Sequence, residues 1–200
     1  MAGLTGVFGG TFDPPHIGHL ILAEAGREAL GLDHVLWVVT AQPPHKPNER
    51  RTPVEVRLEM VATAIRGNQA FEVSRADVDR PPPHYAVDTL RHLAAHQPGA
   101  RFVYLMGEDS LRDLPAWHTP REFLEACESI GVMERSGSEP DLADLEMVLP
   151  GLSARVRFFR APMIDIASHD LRRRVQSGES IRYLVPEGVE QIIRQQGLYR

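Results

Sequence analysis

Residues 4–20 read LTGVFGGTFDPPHIGHL, and this stretch decides the fold. Its opening is a short apolar run, Leu4 to Phe8, which ends in a Gly9-Gly10 pair able to turn tightly. A helical pattern then runs from about residue 18 to 30, with Leu20, Ala23 and Leu30 on one face. A buried strand that turns straight into a helix is the first half of a βαβ unit, and the rest of the chain continues the alternation. Residues 34–40 (HVLWVVT) form an unbroken β-branched and aromatic run, as a strand covered on both faces requires. Residues 43–48 (PPHKPN) contain three prolines, which exclude helix and central strand and leave an exposed loop.

Pro53 opens a helix reaching about residue 66, at a position where a missing N–H costs nothing. Further strands are expected at 71–78, 101–106, 129–133 and 156–160. Helices are expected at 85–96, 122–128, 141–149, 168–176 and 186–196, and Pro81-Pro82-Pro83 makes a second stiff loop. Apolar strands alternating with helices predict an α/β fold with a doubly wound parallel sheet. No internal repeat or long linker divides the chain, so residues 1–200 read as one domain, its helices from about residue 168 packed on the sheet.

Composition narrows the function. The 200 residues carry 22 Lys and Arg against 27 Asp and Glu, a net charge of −5, which argues against a broad nucleic-acid footprint. A few local cations still suffice for a small anion. The single cysteine, Cys127, permits no internal disulfide and too few thiolates for a Cys-based zinc site, and it reads as a small core residue. No apolar run approaches the roughly 20 residues of a membrane span, and no signal peptide is evident, so a cytoplasmic protein is expected.

In open α/β sheets ligands gather beyond the carboxyl ends of the strands, and four such segments carry unusual residues. After the first strand, glycines let the backbone approach a phosphate, and a helix N-terminus offers unpaired N–H groups. His16 and His19 stand three apart there, on the first turn if the helix begins beside them, where two imidazoles can donate to a polyphosphate. Neither a P-loop Gly-Lys-Ser/Thr nor a G-x-G-x-x-G fingerprint is present. A metal site and an incidental pair of histidines are the alternatives. Next, His45 and Lys46 on their proline-stiffened loop suit a phosphate, although a loop lysine is usually just solvated. Third, Asp109 can accept both hydroxyls of a ribose and Trp117 can stack a planar ring; otherwise Asp109 caps a helix and Trp117 is core. Fourth, Ser168 is placed to cap a helix whose amides face an anion.

GGTFDPPHIGHL resembles the H-x-G-H box of the nucleotidyltransferase superfamily, and its fuller form looks like the bacterial nicotinate-nucleotide adenylyltransferases. The resemblance runs from Gly9 to Tyr199 and implies a Rossmann-like nucleotidyltransferase fold. It implies that His16, His19 and Arg172 are catalytic. ATP would lie on Gly9, Gly10, Thr11, Phe12, His16, His19, Gly107, Asp109, Arg135, Ser168 and Arg172. The acceptor mononucleotide would meet His45, Lys46, Tyr85, Thr89 and Trp117, with the nicotinate ring stacked on Trp117. The implied reaction joins the AMP part of ATP to nicotinate mononucleotide, giving deamido-NAD and pyrophosphate in NAD biosynthesis. Mg²⁺ would come with ATP, with no resident metal, no nucleic-acid polymer and no membrane as partner. Departures from the family pattern are Ala86 for a Thr, Ala167 for a Ser, His169 for a Thr and Ser136 for a Pro. Rival readings are an adenylyltransferase acting on phosphopantetheine and a nucleotide-binding regulator without turnover.

Overall fold

A computed structural model describes residues 3–42, 51–134 and 141–200. Six strands, β1 (Leu4–Gly10), β2 (His34–Val39), β3 (Phe71–Ser74), β4 (Arg101–Gly107), β5 (Ser129–Met133) and β6 (Val156–Phe159), form one sheet in the order β3-β2-β1-β4-β5-β6. Every pairing is parallel. The order reverses between β1 and β4, so a crevice opens beyond their carboxyl ends.

Side chains alternate across a strand, and the central strands use both directions. Val35, Trp37 and Val39 of β2, with Val103 and Leu105 of β4, pack with α1 (Ile17–Ala29) and α2 (Val54–Ala64). Leu36 and Val38, with Phe102, Tyr104 and Met106, pack instead with α3 (Ala86–His96), α4 (Glu108–Asp113) and α5 (Pro120–Ala126). Two cores thus flank one sheet, which is the doubly wound arrangement that the continuous apolar strands predict. Each large side chain buried this way, Leu22 of α1 for example, contributes roughly 1.5–3 kcal/mol.

The remaining helices among the described residues are α6 (Ala143–Val148), α7 (Leu152–Arg155), α8 (Ser168–Gln176) and α9 (Glu187–Gln195). The sequence places the last two on the sheet; α9 lies instead against α2, and α8 joins the same layer through Leu171. Leu171, Val189, Ile192 and Ile193 form a third core with Met60 of α2, joined by Val56 and Ala64. Val56, Met60 and Ala64 are spaced by four, so α2 carries two apolar stripes, one for the sheet and one for this layer.

Other differences are local. β3 stops at Ser74 rather than 78, because the chain turns there: the Val78 and Asp79 amides both donate to the Arg75 carbonyl. The short helices α4 and α7 and a 3-10 turn at Leu114–Ala116 escape the sequence reading, being too short to show a period. Cys127 lies one residue beyond α5, buried as expected, and burial pushes its thiol up to about 12. Among the described residues no helix is long and apolar enough to cross a membrane.

Candidate active site

The loop between β1 and α1 sits at the point where the strand order reverses. Its glycines are required by neighbours within the protein. A Cβ at Gly9 would stand 2.5 Å from the Tyr104 hydroxyl, and one at Gly10 would stand 2.7 Å from the Phe12 ring. Phe12 has φ of +48°, a strained value for a side chain of this size. Its buried ring offsets that strain, wedged against Phe8, Trp37 and His19 at centroid distances of 5.1 to 5.3 Å. Phe12 therefore serves as the floor beneath His19, and only its backbone is left to face a ligand.

His16 is the N-cap of α1 and His19 its third helical residue. The imidazoles stack, 3.6 Å between centroids and 24° between planes. The His16 amide donates to His19 Nδ1 at 3.1 Å, so a neutral His19 carries its proton on Nε2 and holds it as a donor. His16 Nδ1 is buried and has no hydrogen-bond partner among the described residues. Burial lowers the His16 pKa to about 4, and burial together with the adjacent His16 holds His19 well below its ordinary value. At neutral pH the pair is uncharged, packed and prepositioned. An arriving polyphosphate favours the charged form and so acts against both shifts.

Segments distant in sequence hold this loop. Ser168 Oγ donates to the Pro14 carbonyl at 2.9 Å, and Arg172 Nη1 donates to the Asp13 carbonyl at 2.8 Å. The Asp13 carboxylate accepts the Tyr199 hydroxyl at 2.6 Å and the Thr52 amide at 3.2 Å. The N-cap of α8 is Ala167 and not Ser168, whose hydroxyl is drawn to Pro14 instead; this corrects the expected cap. His169 is exposed and lies 3.5 Å from Asp170, away from this cluster of bonds.

On the other side of β1 a cavity of about 290 Å³ opens between Gly9, Thr40, Tyr104, Tyr85, Thr89 and Trp117. Trp117 is fixed edge-on by Tyr104 and Phe123, at 6.0 and 5.2 Å. Tyr85 stacks on His118 at 3.9 Å. The Thr89 hydroxyl is spent inside the wall: it donates to Asp77 at 2.5 Å and accepts from Arg80 at 3.0 Å, while Arg80 also pairs with Asp77. The sequence reading missed Asp77, His84 and Tyr104, all in this wall. His84 is buried, with Nδ1 unpaired among the described residues, and its pKa is lowered chiefly by that burial. No sequence pattern marks these three, because Asp77 lies in the turn after β3, His84 just before α3 and Tyr104 within β4, and only the fold brings them to one wall.

Gly107 is the N-cap of α4, and a Cβ there would meet nothing within 4 Å, so the crevice is open at this point. Asp109, the second residue of α4, is exposed and lies 3.4 Å from Arg112. Thr11 contributes its carbonyl to the loop, bonded from α2. His45, Lys46 and Arg135 lie outside the described residues. No group of three His, Cys, Asp or Glu that could hold a metal occurs among the described residues.

Known proteins share this architecture. The cytidylyltransferase-like family model matches residues 7–174. A probable nicotinate-nucleotide adenylyltransferase of Thermomicrobium roseum is 48% identical over 98% of this chain and 91% of its own length. Another, of Salinibacter ruber, is 42% identical over 98% of this chain and 97% of its own. Among solved structures, the Plasmodium falciparum nicotinic acid mononucleotide adenylyltransferase complexed with NaAD superposes with a TM-score of 0.80 at 16% identity, covering 98% of this chain and 97% of that one. A match that takes in both the histidine loop and the wall around Trp117 at such identity settles the membership: the chain belongs to the cytidylyltransferase-like family, among its nicotinate-nucleotide adenylyltransferases.

Proposed function

We propose that this protein transfers the adenylyl group of ATP to nicotinate mononucleotide, releasing pyrophosphate and forming deamido-NAD in the cytoplasm. One observation carries the reading: a stacked, neutral His16–His19 pair stands at the strand-order reversal, beside a cavity walled by Trp117 and Tyr85. A phosphate oxygen of the acceptor attacks the α-phosphorus of ATP, the bond to the β-phosphate oxygen breaks, and pyrophosphate leaves in line. Such a displacement asks for position and charge neutralisation, with no nucleophile from the protein. His19 Nε2–H is the donor nearer the α-phosphate. It is fixed through Nδ1 before charge develops, which keeps reorganisation small. His16 and the amides at the head of α1 take the following phosphates. Mg²⁺ carried by ATP would supply further neutralisation of the charge on its phosphates, beside these donors. Trp117 offers an aromatic face for the pyridine ring.

The test is pyrophosphate release from Mg²⁺-ATP with nicotinate mononucleotide and nicotinamide mononucleotide in parallel. The expected result is release that depends on the acceptor and favours the nicotinate form. ATP binding without release would sink the reading in favour of a regulator, and release only with phosphopantetheine would move it to another acceptor.

A further inference from the structure

Arg57 stands on α2 one turn before Val61, at the edge of the face that packs against the sheet through Leu58 and Val61. It is 1% exposed, and burying a guanidinium there is costly unless its donors are used. They are used on backbone. Nη1 donates to the carbonyls of Thr11 at 2.7 Å and Thr40 at 2.8 Å. Nη2 donates to Ala41 at 3.0 Å and Nε to Thr52 at 3.0 Å. Four carbonyls at the mouth of the sheet thus find donors in one rigid fork, which a carbonyl shielded from water requires. Those carbonyls belong to different walls of the site. Thr11 begins the loop that carries His16 and His19, and Thr40 lines the acceptor-side cavity. Thr52 is bonded twice, through its carbonyl to Arg57 and through its amide to Asp13, which the Tyr199 hydroxyl holds in turn.

We infer that Arg57 is a positioning residue for adenylyl transfer: its guanidinium, with Asp13 and Tyr199 closing the same knot, sets the spacing between the histidine loop and the acceptor cavity. Packing alone would be served better by an apolar side chain at this point of the helix. The guanidinium touches neither substrate; what it controls is the distance between the two. A misplacement near 1 Å costs about a hundredfold in such reactions.

This inference rests on the adenylyl-transfer reading, and the experiment separates the two. Wild type, Arg57→Lys and Tyr199→Phe are compared by steady-state kinetics, by thermal melting and by calorimetric titration with ATP alone. A lysine keeps the charge but gathers its donors on one nitrogen, which cannot span four carbonyls. Arg57→Lys is expected to lose about a hundredfold in kcat per ATP-binding site, with KM for the acceptor raised and ATP affinity near wild type. Tyr199→Phe is expected to show the same pattern at about fivefold, the loss of one hydrogen bond. A merely structural role lowers the melting temperature and the folded fraction but leaves KM and kcat per binding site unchanged, and that result overturns the inference. Should Arg57→Lys fail to fold, Tyr199→Phe decides by the same split. A wild-type protein without turnover sinks the reading and the inference together; wild-type turnover with unaltered variants sinks the inference alone.

Discussion

The β1–α1 loop and the head of α8 both read in the sequence as phosphate grips, yet they differ in where their polar atoms go. On the first, His16 Nδ1 is buried without a partner among the described residues and His19 keeps its Nε2 proton as a donor, so the two rings retain hydrogen-bonding capacity that the loop itself does not use. On the second, Ser168 and Arg172 are turned onto the carbonyls of Pro14 and Asp13. One segment bears the donors and the other braces it. Two motifs around one site can therefore divide the work, and a side chain that matches a binding pattern can act by holding the backbone that carries the binding group.

The sharpest way to break that division is His19→Ala. Removing a prepositioned donor to developing charge costs roughly 2.7–4 kcal/mol, so kcat should fall at least about a hundredfold. The fold should survive, because the ring's lost contacts are with Phe8, Phe12 and His16 at the edge of a large core. Turnover at the wild-type rate in a pyrophosphate-release assay would remove His19 from the donor role and leave the loop with no chemical advantage over its brace.

A second test uses stability, and its sign follows from burial. His16 titrates near 4 in the folded protein against an ordinary 6.5, so the unfolded chain binds this proton first as pH falls. The stabilisation is fully present above about 6.5 and drains away between 6.5 and about 4, some 3 kcal/mol in all at 1.36 kcal/mol per unit. Urea denaturation across that window should show the loss in the wild type and a smaller one in His16→Gln. Equal slopes would mean that the loop is wet and that burial does not hold the His16 imidazole neutral.

Much of this was legible in the sequence, and the gaps have physical causes. The apolar strands and the glycine turn after Phe8 predicted the parallel sheet, because a strand buried on both faces leaves a continuous record. His16 and His19 were legible because their spacing and their place after a strand are local. Braces are not local. Asp13 meets Thr52 and Tyr199, and Ser168 meets Pro14, across separations of 39 to 186 residues, which no periodicity records. Arg57 left one faint mark, a cation where α2 should be apolar between Val54 and Val61. The α8 cap was misplaced by one residue because Ser168 had two possible partners, its own helix and Pro14, and only the folded arrangement decides between them.

The smallest expected effect separates brace from grip most directly. Ser168→Ala removes one neutral hydrogen bond, about 1 kcal/mol, which corresponds to about fivefold. If Ser168 held ATP equally in the ground and transition states, that loss would raise KM for ATP and spare kcat. If it holds Pro14 and through it the start of α1, the His16–His19 pair drifts from the reacting phosphate, and kcat falls while ATP affinity stays close to wild type. Ser168→Thr should restore most of the rate, since its hydroxyl can reach the same carbonyl. A fivefold rise in KM with unchanged kcat would return the head of α8 to the role of a grip, and the contrast between the two segments would dissolve.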